Sequence, residues 1–205
     1  MSALVQAILV PKGDHPHEDV VMACATASVK ALLFTRENPA WDEWLSGPFT
    51  KSVRRATITQ FDDALEWVAA AAQVGDVQTV ALPPMAYDDF PKCVAKTQVQ
   101  GTDYPRRGSW DPHPDLLHHD PMVVINPNVE MTTGKMAAQV AHGLMASVLR
   151  YGKMDLSKWM ERGLPWGCFV CTEQEWDVYV KRCPIHIEDA GFTEVEPGTL
   201  TVVAR

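Results

Sequence analysis

Short apolar runs alternate with long helical patterns twice along this chain, in the same order each time. Residues 4–10 (Leu-Val-Gln-Ala-Ile-Leu-Val) and 122–126 (Met-Val-Val-Ile-Asn) have the length and β-branched content of buried strands. A polar turn follows each, then a pattern of helical length, about residues 18–34 and 133–151, the second with Thr132 or Thr133 as its N-cap. Next comes a short amphipathic piece carrying Trp44 in one copy and Trp159 in the other. A strand is then predicted at Ser52–Thr57 and at Gly167–Thr172. Helices follow, begun by Gln60-Phe61-Asp62-Asp63 and by Glu173-Gln174-Glu175-Trp176-Asp177. Trp44 and Trp159 are 115 positions apart, as are Ala23 and Ala138. The period is too long for a solenoid, so the pattern predicts a diverged duplication, two similar α/β units that pack as a pseudo-dimer within the chain. The alternative is chance similarity of two ordinary βα patterns. Residues 101–119, with three prolines, paired Arg106 and Arg107 and three histidines, read as a linker between units at 1–100 and 120–205.

Within the second long helix the polar groups are not scattered. At 100° per residue, Lys135, Gln139 and His142 fall within about 60° of one another. Met136, Val140, Leu144 and Val148 form the opposite, apolar face. Such a stripe, flanked by alanines, presents its long polar side chains to something bulky.

Composition narrows the classes. A chain of 205 residues, 46% hydrophobic and 21% charged, fits a globular protein able to bury a good core. Its first residues lack the basic start and long apolar core of a secretory signal, and no window approaches a membrane span. Five cysteines, an odd number, point to a reducing, cytoplasmic setting rather than a disulfide framework. The net charge of −8 counts against a broad, unspecific nucleic-acid surface but allows a local basic patch.

Two strings at opposite ends of residues 120–205 carry a family resemblance. Gly134-Lys-Met-Ala-Ala-Gln-Val-Ala-His142 resembles the first-helix signature of the type II peptidyl-tRNA hydrolases. Asp189-Ala-Gly-Phe-Thr-Glu-Val-Glu-Pro-Gly-Thr-Leu-Thr-Val-Val203 resembles the closing loop and strand of the same family. Their pairing, in the right order, is far more specific than either alone. The resemblance implies an α/β unit with a mixed, about four-stranded sheet and helices on both faces. It also implies metal-independent hydrolysis, with no cofactor, of the ester joining a peptide to the terminal ribose of tRNA. It reaches the first half only through the internal repeat, where Val20, Cys24 and Ala27 stand at the positions of Lys135, Gln139 and His142, so that copy cannot run the same chemistry.

Ester hydrolysis needs an oriented water, relief of charge on the carbonyl oxygen and a proton for the departing hydroxyl. Asp189 can orient or deprotonate the water. Lys135 can stabilise the oxyanion or hold the terminal phosphate. Gln139 can both donate and accept, His142 can shuttle a proton, and Thr193 and Thr201 can add hydroxyls. Each has an ordinary alternative: a solvated lysine in a first helical turn, an aspartate in a turn, a satisfied core histidine. The chain also departs from the family, with Thr133 where a second lysine is usual and Asn126-Pro-Asn128 in place of an Arg-x-Asp. These losses weaken phosphate attraction. They sustain a second reading from another class, a non-catalytic member that binds tRNA or a protein partner.

Residues 120–205 hold 8 Lys and Arg against 11 Asp and Glu. Arg150, Lys153, Lys158 and Arg162 nonetheless cluster around Trp159, a pattern suited to phosphate contacts with the indole packing or stacking. The alternative is a tryptophan stapling the short helix to the core beneath a solvated face. Arg54, Arg55, Arg106 and Arg107 are weaker candidates. Cys168-x-x-Cys171 with Cys183-x-x-His186 has spacings that zinc uses, but an apolar strand would turn Cys168 and Cys171 to opposite faces. The run from His113 to Asp120 reads as exposed rather than chelating. Gly-rich phosphate loops and Gly-x-Ser-x-Gly turns are absent from the sequence.

Overall fold

The structure, a computed structural model, describes residues 3–108, 110 and 117–205, except for the side chains of Lys153 and Met154. The candidate chelators at 113 and 115 lie outside the described residues. The chain divides into two compact units, the first made of residues 1–108 with 132–138, the second of 109–131 with 139–205.

In unit 1, β1 (Leu4–Pro11) is buried along most of its length, in keeping with a run that is apolar but for Gln6. Its sheet is mixed. β1 pairs in parallel with β2 (Lys51–Ala56), while β4 (Val77–Ala81) runs antiparallel to it and to β3 (Ala70–Val74), giving the order β2-β1-β4-β3. A two-residue β5 (Met85–Ala86) joins the start of β1. Val5, Ala7 and Leu9 of β1 pack into a core with Phe61 and Ala64 of α3 (Ile58–Ala64) and Val94 of α4 (Lys92–Ala95). The alternate residue Gln6 turns to the other face, where it and Ser28 of α1 (His17–Phe34) exchange hydrogen bonds of 3.1 and 2.7 Å. A short α2 (Ala40–Ser46) carries Trp41 and Trp44, both buried.

Unit 2 repeats the frame. β6 (Met122–Ile125) pairs in parallel with β7 (Gly167–Val170) and antiparallel with β9 (Leu200–Ala204), which pairs with β8 (Ile185–Glu188). Its order, β7-β6-β9-β8, reproduces that of the four main strands of unit 1. Val124 and Val203 face Trp176 of α7 (Glu173–Arg182). Val123, Val202 and Ala204 face Gly143 of α5 (Thr133–Val148). Between α5 and β7 lies α6 (Lys153–Glu161). The expected class, two similar α/β units with mixed sheets, is what the chain adopts.

Element ends differ from the pattern by one to three residues, each for a local reason. α5 stops at Val148 because the last N–H groups, of Arg150 and Tyr151, bond three residues back and tighten the turn before Gly152. β7 stops at Val170 because Thr172 is already the N-cap of α7, with Glu175 closing a capping box. β6 stops at Ile125 because the Asn126 side chain accepts from the Asn128 N–H, a local turn. β3, β4, β5 and α4 carry no pattern strong enough to be predicted. β3 reads Ala-Ala-Ala-Gln-Val, which by propensity suits a helix better than a strand, and pairing with β4 overrides it.

Candidate active site

The two strings that resemble a family lie fifty residues apart, and the fold of unit 2 joins them through hydrogen bonds. Gln139 of α5 donates from its amide nitrogen to Asp189 Oδ2 at 2.6 Å. The Thr201 hydroxyl of β9 lies 2.9 Å from Gln139 Oε1 and 3.0 Å from the Ile187 carbonyl, its one proton shared between them. All three side chains are buried, Gln139 and Asp189 each 5% exposed and Thr201 not at all. Buried polar groups are retained only when hydrogen-bonded, and an amide bridging a carboxylate and a hydroxyl meets that demand at both of its ends.

Asp189 is held from several sides. Its backbone N–H donates to the Thr199 carbonyl and its own carbonyl accepts from the Gly198 N–H, closing the base of the loop between β8 and β9. Its Oδ1 accepts the Gly191 N–H at 2.7 Å. Gly191 sits at φ +76, and a Cβ there would stand 2.7 Å from Pro197, so both backbone angle and space call for glycine. The carboxylate is therefore fixed before any ligand arrives, as a group acting on a water or a bound ester must be.

The other candidates are placed less closely. Lys135 lies one helical turn before Gln139 on α5, half-buried, its backbone N–H reaching the Thr132 hydroxyl at 3.4 Å. His142, three residues beyond Gln139, is half-buried. Thr193 is exposed on the loop between β8 and β9. Asn126, one of the departures from the family pattern, donates from its side chain to the Leu200 carbonyl at 2.8 Å, beside Thr201. A neutral amide thus ties the end of β6 to the start of β9.

The basic cluster is rearranged by packing. Trp159 is buried, its indole N–H donating to the Pro165 carbonyl at 2.7 Å and its ring tilted against Tyr151. No face is left for a base, so Trp159 staples α6 to the core rather than stacking. Arg162 is bound by Asp120, whose side chain is fully buried. Burial acts to raise the Asp120 carboxyl, but hydrogen bonds from Arg162 and the Leu117 N–H, with the Arg162 charge, outweigh it and hold the group below its ordinary value. Arg150 and Lys158 are exposed, and the side chain of Lys153 lies outside the described residues. A cavity of about 670 Å³ beside them is lined by Asp120, Asp155 and Glu161 as well as Lys158 and Arg162, a mixed field rather than a phosphate cradle.

In unit 1, Arg54 is buried and donates to Thr97, Ser52, Tyr87 and the Ala95 carbonyl. Arg55 bonds Gln98 and Arg107 pairs with Asp14. Cys24, at the position of Gln139, is wholly buried, and burial pushes its thiol far up. Cys171 and Cys183 belong to the apolar core around Trp176, and Cys168 is buried. Among the described residues no three His, Cys, Asp or Glu side chains are grouped to hold a metal ion. Nor is any helix there long and apolar enough to cross a membrane.

Comparison with known proteins points to one family. Residues 120–205 match the family described as peptidyl-tRNA hydrolase PTH2. A peptidyl-tRNA hydrolase of Sulfurisphaera tokodaii is 35% identical over 40% of this chain and 79% of its own length. One from Saccharolobus islandicus is 34% identical over 39% and 78%. One from Thermococcus onnurineus is 29% identical over 43% and 84%. The chain belongs to the peptidyl-tRNA hydrolase PTH2 family through its C-terminal half.

Proposed function

We propose that this protein hydrolyses the ester bond of peptidyl-tRNA, releasing free tRNA and the peptide, with its chemistry in residues 120–205. The observation that carries the reading is the buried Asp189–Gln139–Thr201 chain, in which the family's two strings meet. In this mechanism Asp189 accepts a proton from water as the water oxygen bonds to the ester carbonyl carbon. Gln139 holds the Asp189 carboxylate in place, and Lys135, one turn earlier on α5, offsets the charge that develops on the carbonyl oxygen. The carbon–oxygen bond to the ribose then breaks, and His142 supplies the proton that the departing ribose oxygen takes up. Thr193, exposed on the Asp189 loop, is the remaining side chain assigned to the site. Arg150 and Lys158, with Lys153, contact the tRNA backbone, so that binding is modest and salt-sensitive. We read residues 1–100 as a diverged copy of the same unit that has kept its frame and lost its chemistry.

The test is release of free tRNA from an N-acetylated aminoacyl-tRNA by the native chain, Lys135→Ala and Asp189→Asn. Native turnover that falls at least tenfold in both variants is the expected result. Turnover indifferent to both would leave an esterase with a different site. The neutral residues Thr133, Asn126 and Asn128 favour the second reading, a tRNA-binding member without catalysis. Folded native protein that retains tRNA at low salt without raising the spontaneous rate would establish it.

A further inference from the structure

The first turn of a helix leaves N–H groups that the helix itself cannot satisfy. In α5 these fall at Thr133, Gly134 and Lys135, the turn that carries the lysine of the proposed site. Thr132 serves the later ones locally: its hydroxyl takes the Lys135 N–H and its carbonyl the Met136 N–H. The two earliest are served from elsewhere in unit 1. The Thr133 N–H donates to Asp103 Oδ1 at 3.0 Å, and the Gly134 N–H donates to the Thr102 carbonyl at 2.7 Å. Thr133 itself is fully buried. Its hydroxyl donates to Asp103 Oδ1 at 2.9 Å, accepts from the Tyr104 N–H at 2.9 Å and lies 2.8 Å from His17 Nδ1. The second nitrogen of the His17 ring lies 3.1 Å from the Met136 sulfur. At Gly134 a Cβ would stand 2.9 Å from the Thr102 Cβ, so only glycine lets the segment 102–104 lie so close along the helix start. Tyr104 is in turn anchored through its hydroxyl to the Pro11 carbonyl at the end of β1.

We propose that Asp103 and His17 are positioning residues for the hydrolase reaction, acting through Thr133 on the turn that bears Lys135. This rests on the function proposed above. A terminal turn ordinarily frays, and a frayed turn cannot hold a lysine against a developing charge. The carboxylate of Asp103, the Thr102 carbonyl and the imidazole of His17 hold this turn from three directions. On this reading His17 and the segment 102–104, which lie outside residues 120–205, are required for the chemistry.

Two readouts test the proposal together. Hydrogen exchange of the Thr133, Gly134 and Lys135 amides should quicken at least tenfold in Asp103→Ala and in His17→Ala, while amides of Val140–Met145 stay protected. Unchanged exchange in the folded variants would overturn it. In the tRNA-release assay, both variants should lose at least tenfold in kcat with little change in KM, and Asp103→Asn, which keeps an acceptor oxygen, should recover most of that loss. Introduced into Lys135→Ala, Asp103→Ala should cost little more, because the two act as one unit. Full additivity there would sink the positioning role. Should His17→Ala fail to fold, Thr133→Val removes the shared hydroxyl with little change of shape and should give the same pattern. Native protein with no turnover would defeat the functional reading alone, and the exchange data would still decide whether the clamp exists.

Discussion

Units 1 and 2 thread their main strands in the same order and share three details at the same 115-residue offset, yet they differ wherever chemistry is at stake. Trp44 and Trp159 are both buried, and each donates its indole N–H to the carbonyl six residues on, at Thr50 and Pro165. Thr57 with Gln60, and Thr172 with Glu175, close capping boxes on the helix after the second strand of each unit. Where unit 2 has Gln139, however, unit 1 has a buried Cys24. Where unit 2 spans β8 to β9 with residues 189–199 and the Asp189 carboxylate, unit 1 joins β3 to β4 through Gly75 and Asp76 alone, with Gly75 at φ +53. A tight hairpin turn is enough to build a sheet. A longer loop is needed to bring a carboxylate back over a helix. The features common to both units serve packing and capping, whereas the buried Asp189–Gln139–Thr201 chain belongs to unit 2 alone.

The strongest way to break this comparison is to remove the shared tryptophans. Trp44→Ala and Trp159→Ala should each cost about 3–5 kcal/mol of stability, measured by urea unfolding, since both leave a large cavity and an orphaned carbonyl. A loss in one unit only would show that the second tryptophan is not part of the frame. Exchanging the residues that differ should sharpen it. Gln139→Cys should lower tRNA release at least tenfold, about 1.4 kcal/mol of transition-state stabilisation, while Cys24→Ala leaves turnover unchanged. The capping boxes come next: Thr57→Ala and Thr172→Ala should each cost about 1 kcal/mol, alike in the two units. The smallest effect is a pH dependence peculiar to unit 1. Burial, reinforced by Arg106 against the opposing charges of Glu18 and Asp103, holds His17 below the ordinary imidazole value of 6.5. The unfolded chain therefore takes up this proton at a higher pH than the folded one. Its contribution to stability is complete above about 6.5 and is lost as the pH falls toward the folded value. Unfolding midpoints of the native chain should decline across that window more steeply than those of His17→Gln.

Much of the frame was legible along the chain because it is written in local periodicity. Apolar runs marked β1 and β6, the helical patterns marked α1 and α5, and the recurring tryptophans marked the likeness of the two units. The segment 101–108, which reads as a proline-rich linker, is instead where Thr102 and Tyr104 are buried within unit 1. Its partners are backbone groups and polar side chains, which leave no hydrophobic signal. The lining of the basic patch was equally hidden, for the carboxylate of Asp120 that binds Arg162 lies forty-two positions away from it.

By itself the sequence determined which side chains share the polar stripe of α5, because helical periodicity places Lys135, Gln139 and His142 together without any tertiary contact. It also determined the family, through two strings of residue types. Only the tertiary structure decided that Asp189 meets Gln139, that Trp159 is a staple rather than a stacking platform, and that Asp103 and His17 close the start of α5. The first and last are long-range contacts, and all three depend on burial and hydrogen-bond geometry that no local pattern encodes.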